Sequence, residues 1–355
     1  SNGITGNIAS SRQVSPIQYG AGYTWKMITF ATDSFSHAIR SDGTLWACGY
    51  GAYGALGDGT TNNASTPIQI GSQTYWTQVF SNNRNWYGYT SSGKIYGNGH
   101  NTYGELAAVA SNLASVSQPT QVGTDTNWKQ LSASGLNHVA ALKTDGTLWT
   151  WGYNAYGQLG LGNDQSVGSF NTSNQSSPVQ VAGGATWANT DPDTQVLTST
   201  GGYNLFGIKA DGSLWACGYG NYGEMGNGTA LRYSSPIQVG SLTNWKQVSA
   251  QYHVAAVKTD GTLWAWGYNQ YGPLGNGTTV NYSSPVQVGS LTNWKQVSTH
   301  SSAAAAIKTD GTLWTWGVGY FSTGNLGNGT TGVSYSSPIQ IGSLTTWKQV
   351  SCGTN

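Results

Sequence analysis

Charge is what this chain has least of. Asp, Glu, Lys and Arg make up 8% of its 355 residues, and the formal net charge is +1. Phosphate binding needs clustered Lys and Arg, and the 14 basic residues fall singly along the chain, so no nucleic-acid partner is expected. Long apolar runs are missing too. No segment reads as a membrane-spanning helix or a signal peptide, and membrane insertion is not expected. Cysteine is scarce, with an odd count of 3. Cys48 and Cys217 fall in equivalent positions of distant repeats, beyond the roughly 7 Å Cα reach of a disulfide, so both are expected as free, buried thiols. Cys-x-x-Cys, paired His and a Gly-Lys-Ser/Thr phosphate loop do not occur. The motifs of zinc, redox and nucleotide chemistry are therefore lacking, and the chain reads as non-enzymatic, without cofactor or metal.

Glycine, tryptophan and tyrosine are abundant, at 51, 16 and 21 residues, and they are distributed by a repeat. A Trp opens each unit (Trp25, Trp76, Trp128, Trp187, Trp245, Trp294 and Trp347), most often followed by Lys. A turn precedes Leu-Trp or its variant at Asp42-Gly43, Ser92-Gly93, Asp145-Gly146, Asp211-Gly212, Asp260-Gly261 and Asp310-Gly311. A Pro marks a short alternating segment at Pro16, Pro67, Pro119, Pro178, Pro236, Pro285 and Pro338. The turn glycines are spaced by 50, 53, 66, 49 and 50 residues. A fixed period of this size is the mark of a repeat architecture.

Each unit predicts four short strands. In the fifth they are 245–249, 253–259, 262–266 and 285–288, rich in β-branched and aromatic residues and separated by Gly, Asn, Ser and Pro. Asp260-Gly261 is a hairpin signal, because Gly takes the positive φ of a tight turn. Pro at the first residue of the last strand suits an outer edge. The expectation is an all-β chain, a seven-bladed β-propeller of four-stranded antiparallel blades repeating about every 50 residues. It would form one domain over 1–355, with blades near 25–70, 76–122, 128–181, 187–239, 245–288 and 294–341. An incomplete seventh blade would come from 1–20 and 347–355. Its missing middle strands read as a sign that the sequence is an excerpt of a longer chain.

These units resemble the repeats of the regulator of chromosome condensation family. The Asp-Gly turn, Leu-Trp-x-Trp-Gly, the loop Gly152-Tyr153-Asn154-Ala155-Tyr156-Gly157-Gln158-Leu159-Gly160, the Pro-x-Gln-Val strand and the small-residue segments at His138 and His253 carry the likeness. It covers essentially the whole chain and implies a propeller, typically seven-bladed. The near-identical repeats and low charge look closer to bacterial, environmental or phage surface members than to the eukaryotic exchange factor.

The candidate binding residues are aromatic. Tyr50 and Tyr53, Tyr153 and Tyr156, Tyr219 and Tyr222, and Tyr268 and Tyr271 pair in successive Gly-rich loops, with Tyr103, Tyr320 and Phe321 in irregular ones. Trp86, the Trp outside the repeat positions, joins them. Tyr among Asn, Gly and Ser combines rigid area with adaptable hydrogen bonding, a recognition palette. The same tyrosines could instead wedge between blades. His138 and His253, with His37 assigned to the same position, read as structural histidines bonding a neighbouring loop. The regular Lys, Arg and Asp around each turn read as solvated scaffold. Asp191 with Asp193, or Asn163 with Asp164, supplies too few carboxylates for calcium.

The expected function is a non-enzymatic binding or structural propeller, extracellular, on a cell surface or on a virion. It would recognise a protein or glycan through the tyrosine loops, within a larger assembly or longer chain. The resemblance also implies two alternatives, a secreted inhibitor like the β-lactamase-inhibitor propeller and a guanine-nucleotide exchange factor for a small GTPase.

Overall fold

The computed structural model describes residues 22–31, 35–82, 84–107, 113–133, 137–162, 173–182, 184, 187, 202–319, 326–330 and 332–352. Apart from one 3-10 turn at Ala52–Gly54, their regular structure is β-strand. The first sheet comprises β1 (Trp25–Phe30), β2 (Phe35–Arg40), β3 (Leu45–Gly49) and β4 (Ala64–Gln69). The second comprises β5 (Trp76–Ser81), β6 (Asn85–Thr90), β7 (Ile95–His100) and β8 (Ser115–Gln121). The third holds β9 (Trp128–Ser132), β10 (His138–Lys143), β11 (Leu148–Gly152) and β12 (Gln175–Gln180). The fourth has three strands, β13 (Asn204–Ile208), β14 (Leu214–Gly218) and β15 (Tyr233–Gln238), with Trp187 joined to Lys209 by an isolated bridge. The fifth is β16 (Trp245–Ala250), β17 (His253–Lys258), β18 (Leu263–Gly267) and β19 (Tyr282–Gln287), and the sixth is β20 (Trp294–His300), β21 (Ala303–Lys308), β22 (Leu313–Gly317) and β23 (Tyr335–Gln340). Strands follow chain order within every sheet and pair antiparallel.

The chain divides into two compact units. One is Ser1–Thr144, Trp149–Tyr153 and Ser173–Val179, carrying the first two sheets and most of the third. The other is Asp145–Leu148, Asn154–Thr172 and Gln180–Asn355. Within the first, Phe35, Ile39, Leu45 and Leu56 pack on Trp76, Val79 and Trp86 of the second sheet. In the second unit, Leu263, Ala265, Leu274 and Val288 pack on Trp294, Val297 and Trp316 of the next. The first-strand tryptophans are thus wedges between sheets, as their repeat positions suggest. Polar pins accompany them. Gln247 accepts from Val297 N–H at 2.9 Å and donates to Val297 O at 3.0 Å.

The Asp-Gly turn shows why the middle hairpin forms. Asp260 Oδ1 accepts from the Thr262 amide at 2.9 Å and hydroxyl at 2.6 Å, and Thr262 Oγ1 accepts from the Trp264 indole at 2.9 Å. Gly261 has φ +77°, and a Cβ there would strike the Thr292 carbonyl, so the turn and the neighbouring connector both require glycine.

Three expectations change. Pro285 is the fourth residue of β19, not its first. It falls in the register shift between the Ala265–Val286 and Gly267–Tyr282 pairs, where the ladder needs no donor. The stretch 347–351 is not a strand. Trp347 N–H still donates to Gly311 O, and Val350 N–H to Gln296 Oε1, but no second strand pairs with it among the described residues. His37 is opposite Ala47, while Phe35 takes the position that His253 holds opposite Gly267. Residues 1–20, Asn163, Asp164, Asp191 and Asp193 lie outside the described residues.

Candidate functional site

In each four-stranded sheet the two ends are chemically different. Turns between second and third strands gather Asp with Lys or Arg in the first, third, fifth and sixth sheets, and Ser92 with Lys94 in the second. Turns between first and second strands share the opposite end with the loops between third and fourth, and there the tyrosines emerge.

Those loops are built by buried asparagines. Asn269 is 0% exposed. Its Oδ1 accepts from Leu274 N–H at 3.0 Å, and its Nδ2 donates to Thr278 O and Val280 O at 3.0 and 2.9 Å. Asn101 and Asn154 hold Leu106 and Leu159 N–H in the same way. Gly272 lies so close to Ser336 that no Cβ fits, and Tyr271 before it stands 48% exposed.

The second unit joins its tyrosines in a continuous run. Tyr203 packs on Tyr156 at 4.4 Å between centroids, Tyr156 on Tyr219 at 5.4 Å, Tyr219 on Tyr222 at 6.3 Å, Tyr222 on Tyr268 at 5.1 Å and Tyr268 on Tyr271 at 6.4 Å. Arg232 covers Tyr156 and Tyr219 at 4.8 and 5.0 Å. Burial, with Tyr222 and Glu224 adding, holds the Tyr219 phenol above its usual pKa. The first unit has a shorter run. Arg84 lies over Tyr53 at 5.1 Å, Tyr53 meets His100 at 5.6 Å, His100 meets Tyr103 at 6.2 Å, and Tyr103 meets Tyr153 at 4.8 Å. His100 shares a 2.9 Å contact with Glu105. Tyr pairs of this geometry contribute about 0.5–1.5 kcal/mol beyond burial, so the tyrosines brace neighbouring loops and present surface at once.

Tyr53, Tyr103, Tyr153, Tyr156, Tyr219, Tyr222, Tyr268 and Tyr271 are therefore brought together within their units, and Tyr50 is 36% exposed outside the runs. Tyr320 and Phe321 lie outside the described residues. Trp86 is a correction. It is 0% exposed and packs on His37 and Trp76 at 4.9 and 5.7 Å, so it offers no contact surface. It pairs in register with Asn98, where the fifth and sixth sheets pair Val254 with Trp266 and Ala304 with Trp316. The second sheet has moved its large side chain across the hairpin. His100, Tyr203, Arg84 and Arg232 were missed. His100 stands where Tyr153 stands in the loop pattern, a signal available in the sequence. Arg232 replaces Asn281 of the next repeat and Tyr203 matches Tyr252, whereas Arg84 lies in the divergent turn of the second sheet.

The lysines before the turns are also corrected. Lys143, Lys258 and Lys308 are 8%, 4% and 6% exposed. Their ammonium groups lie 3.8, 3.6 and 3.6 Å above Trp149, Trp264 and Trp314, and Lys209 lies 3.3 Å above Trp215. Desolvation lowers the pKa of Lys209, Lys258 and Lys308, partly offset by Asp211, Asp260 and Asp310. They are cation–π fillers, not solvated charges. Cys48 and Cys217 are free and buried, and Cys352 is free and half-buried.

Repeated antiparallel sheets carrying braced tyrosine loops define a repeat-built all-β protein. The sequence matches the Regulator of chromosome condensation (RCC1) repeat over residues 42–82, 145–187, 211–257, 260–307 and 310–355, and a second form of that repeat over 128–158. The chain belongs to the RCC1-repeat family. The matched segments leave out 83–127, most of the divergent second sheet. Among curated relatives, the ultraviolet-B receptor UVR8 of Arabidopsis thaliana is 27% identical over 242 residues, 67% of this chain and 51% of the receptor. The human E3 ubiquitin-protein ligase HERC2 is 28% identical over 211 residues, 58% of this chain and 4% of the ligase. The chain thus spans about half of the receptor and a small part of the ligase. Among solved structures, human WBSCR16 superposes with a TM-score of 0.78 at 20% identity, covering 96% of this chain and 87% of that one. Prp20p from Saccharomyces cerevisiae, reported with its binding properties to Gsp1p and histones, gives 0.74 at 19% identity, covering 93% and 80%. These likenesses establish the RCC1-type propeller fold.

Proposed function

We propose that the chain is a non-catalytic binding protein that holds a protein partner against its tyrosine-lined loop ends. The observation that carries this reading is the run from Tyr203 to Tyr271, six phenol rings in sequence with Arg232 over two of them. Tyr and Arg are enriched where interfaces gain their energy. The similar fold of Prp20p, reported with its binding properties to Gsp1p and histones, supports a protein partner by analogy. The same rings would stack on sugar faces, so a glycan is the alternative. The seven-bladed closure is likewise proposed, on the seven Trp and seven Pro markers, and the extracellular, cell-surface or virion setting on the low charge. The inhibitor and exchange-factor roles draw less support, since Asp58 is the exposed carboxylate at the loop ends among the described residues.

A photo-crosslinking residue at Tyr222, applied to native source material, tests the reading. A discrete protease-sensitive adduct is expected, lost in Tyr219→Ser/Tyr268→Ser without a lower Tm. A glycosidase-sensitive adduct selects the glycan. Equal labelling from a probe at Thr243, on the opposite end of its sheet, would sink the assignment.

A further inference from the structure

The second sheet departs from its neighbours at one further place. In the third to sixth sheets a lysine from the end of the second strand fills the space over two tryptophans, as Lys258 does over Trp245 and Trp264 at 4.9 and 3.6 Å. In the second sheet Thr90 takes the lysine's place, pairing with Trp76 as Lys258 pairs with Trp245. Thr90 turns back into its own turn, where Oγ1 accepts from Lys94 N–H at 3.1 Å and lies 3.0 Å from Ser92 Oγ. Tyr96 replaces the second tryptophan. A third aromatic, Tyr75, stands where three of the other connectors have Asn127, Asn244 and Asn293.

The outcome is a three-ring cluster. Tyr75 and Trp76 lie 5.2 Å apart at 52°, Trp76 and Tyr96 5.6 Å apart at 76°, and Tyr75 and Tyr96 6.5 Å apart at 25°. Trp76 is 3% exposed and forms the floor, while Tyr75 is 38% exposed. Among the described residues no side-chain cation lies over these rings. The turn carboxylate is gone as well, because Ser92 stands where Asp260 does.

We propose that Tyr75, Trp76 and Tyr96 form a cage for an organic cation supplied from outside, of the quaternary ammonium or methylated-lysine class. The cage offers π faces but no carboxylate to accept from N–H groups. A bare ammonium would lose its hydration without a replacement acceptor. An alkylated cation has little hydration to lose and no donor to satisfy. The cage sits at the turn end of its sheet, opposite Tyr103 and Arg84, and is separate from the tyrosine surface.

Tetramethylammonium, titrated into the full chain and followed at the Trp76 indole N–H by NMR, tests the cage. Saturation is expected with a Kd of about 1 mM or tighter. Neutral tert-butanol, of similar shape, should bind at least about tenfold more weakly. Thr90→Lys restores the internal cation and should abolish binding. Tyr75→Asn, which restores the connector residue of other sheets, should weaken it about tenfold and decides the matter if Thr90→Lys does not fold. A trimethyllysine peptide and phosphocholine then separate protein from headgroup sources. Equal affinity for tert-butanol, unchanged binding in both variants, or no saturation would each overturn the proposal.

Discussion

Glu224 and His253 are both 0% exposed, and they tilt stability in opposite directions with pH. Glu224 Oε2 accepts from Tyr222 N–H at 2.8 Å, yet burial pushes its carboxyl up to about 7. A carboxyl raised in the folded state costs nothing below its unfolded pKa. It costs increasingly as pH rises from about 4.5 to 7. Glu224→Gln is therefore expected to stabilise the chain by about 3 kcal/mol at pH 8 and hardly at all at pH 4, measured by urea unfolding. His253 meets no hydrogen-bonding partner among the described residues, and burial, with His300 adding, takes it down to about 3. The unfolded chain then binds the proton first, so stability falls as pH drops from about 6.5 towards 3. His253→Asn, with the residue found at equivalent positions 85 and 204, should flatten that acid limb in melts between pH 7 and 4. An unchanged slope would place the acid sensitivity elsewhere.

At the level of the hairpin, Trp86 and Asn98 form an exchanged pair. Asn98 Nδ2 bonds Gly54 O, much as Trp266 Nε1 reaches Glu224 O at 2.7 Å. Trp86→Val alone should cost about 3–5 kcal/mol through the cavity it leaves, and Asn98→Trp alone about 1–3 kcal/mol through overpacking. Together they recreate the Val254–Trp266 arrangement, and the double variant should recover most of the loss in a denaturation cycle. Strictly additive losses would show that the two positions do not share one space. The strands and turns were legible because alternation and the Asp-Gly signal are local. The position of Pro285 was not, since a register shift is a property of two strands. Trp86 looked available because its irregularity was visible while Asn98, its complement, lay in a different strand. The tyrosines were legible as loop residues, but the bracing of Tyr222 against Tyr268 needs two sheets. The burial of Lys258 depends on Trp245 and Trp264 closing around it, which spacing alone does not state.

Across the whole chain, charge is confined in a consistent way. The regular Lys and Asp sit at the turn ends of all sheets but the second, several of the lysines against indole rings, and the loop ends carry mainly phenols and amides beside Arg84, Arg232 and Asp58. Folding and partner binding should both be insensitive to salt. Raising NaCl from about 0.05 to 0.5 M, which shortens the screening length severalfold, is expected to move Tm by no more than about 2 °C. It should leave crosslinking at Tyr222 intact. A steep salt dependence would mean that the loop ends recognise a charged partner.

The last strand of each of the six sheets carries a proline within it: Pro67, Pro119, Pro178, Pro236, Pro285 and Pro338. An open strand edge is a template on which another copy can add, and most proteins discourage this with charges. A chain this poor in charge cannot. The missing proline N–H, set at an irregular point of the ladder, interrupts the template at each repeat. These prolines guard against fibre formation, a task that the lysines, folded beneath their tryptophans, do not perform.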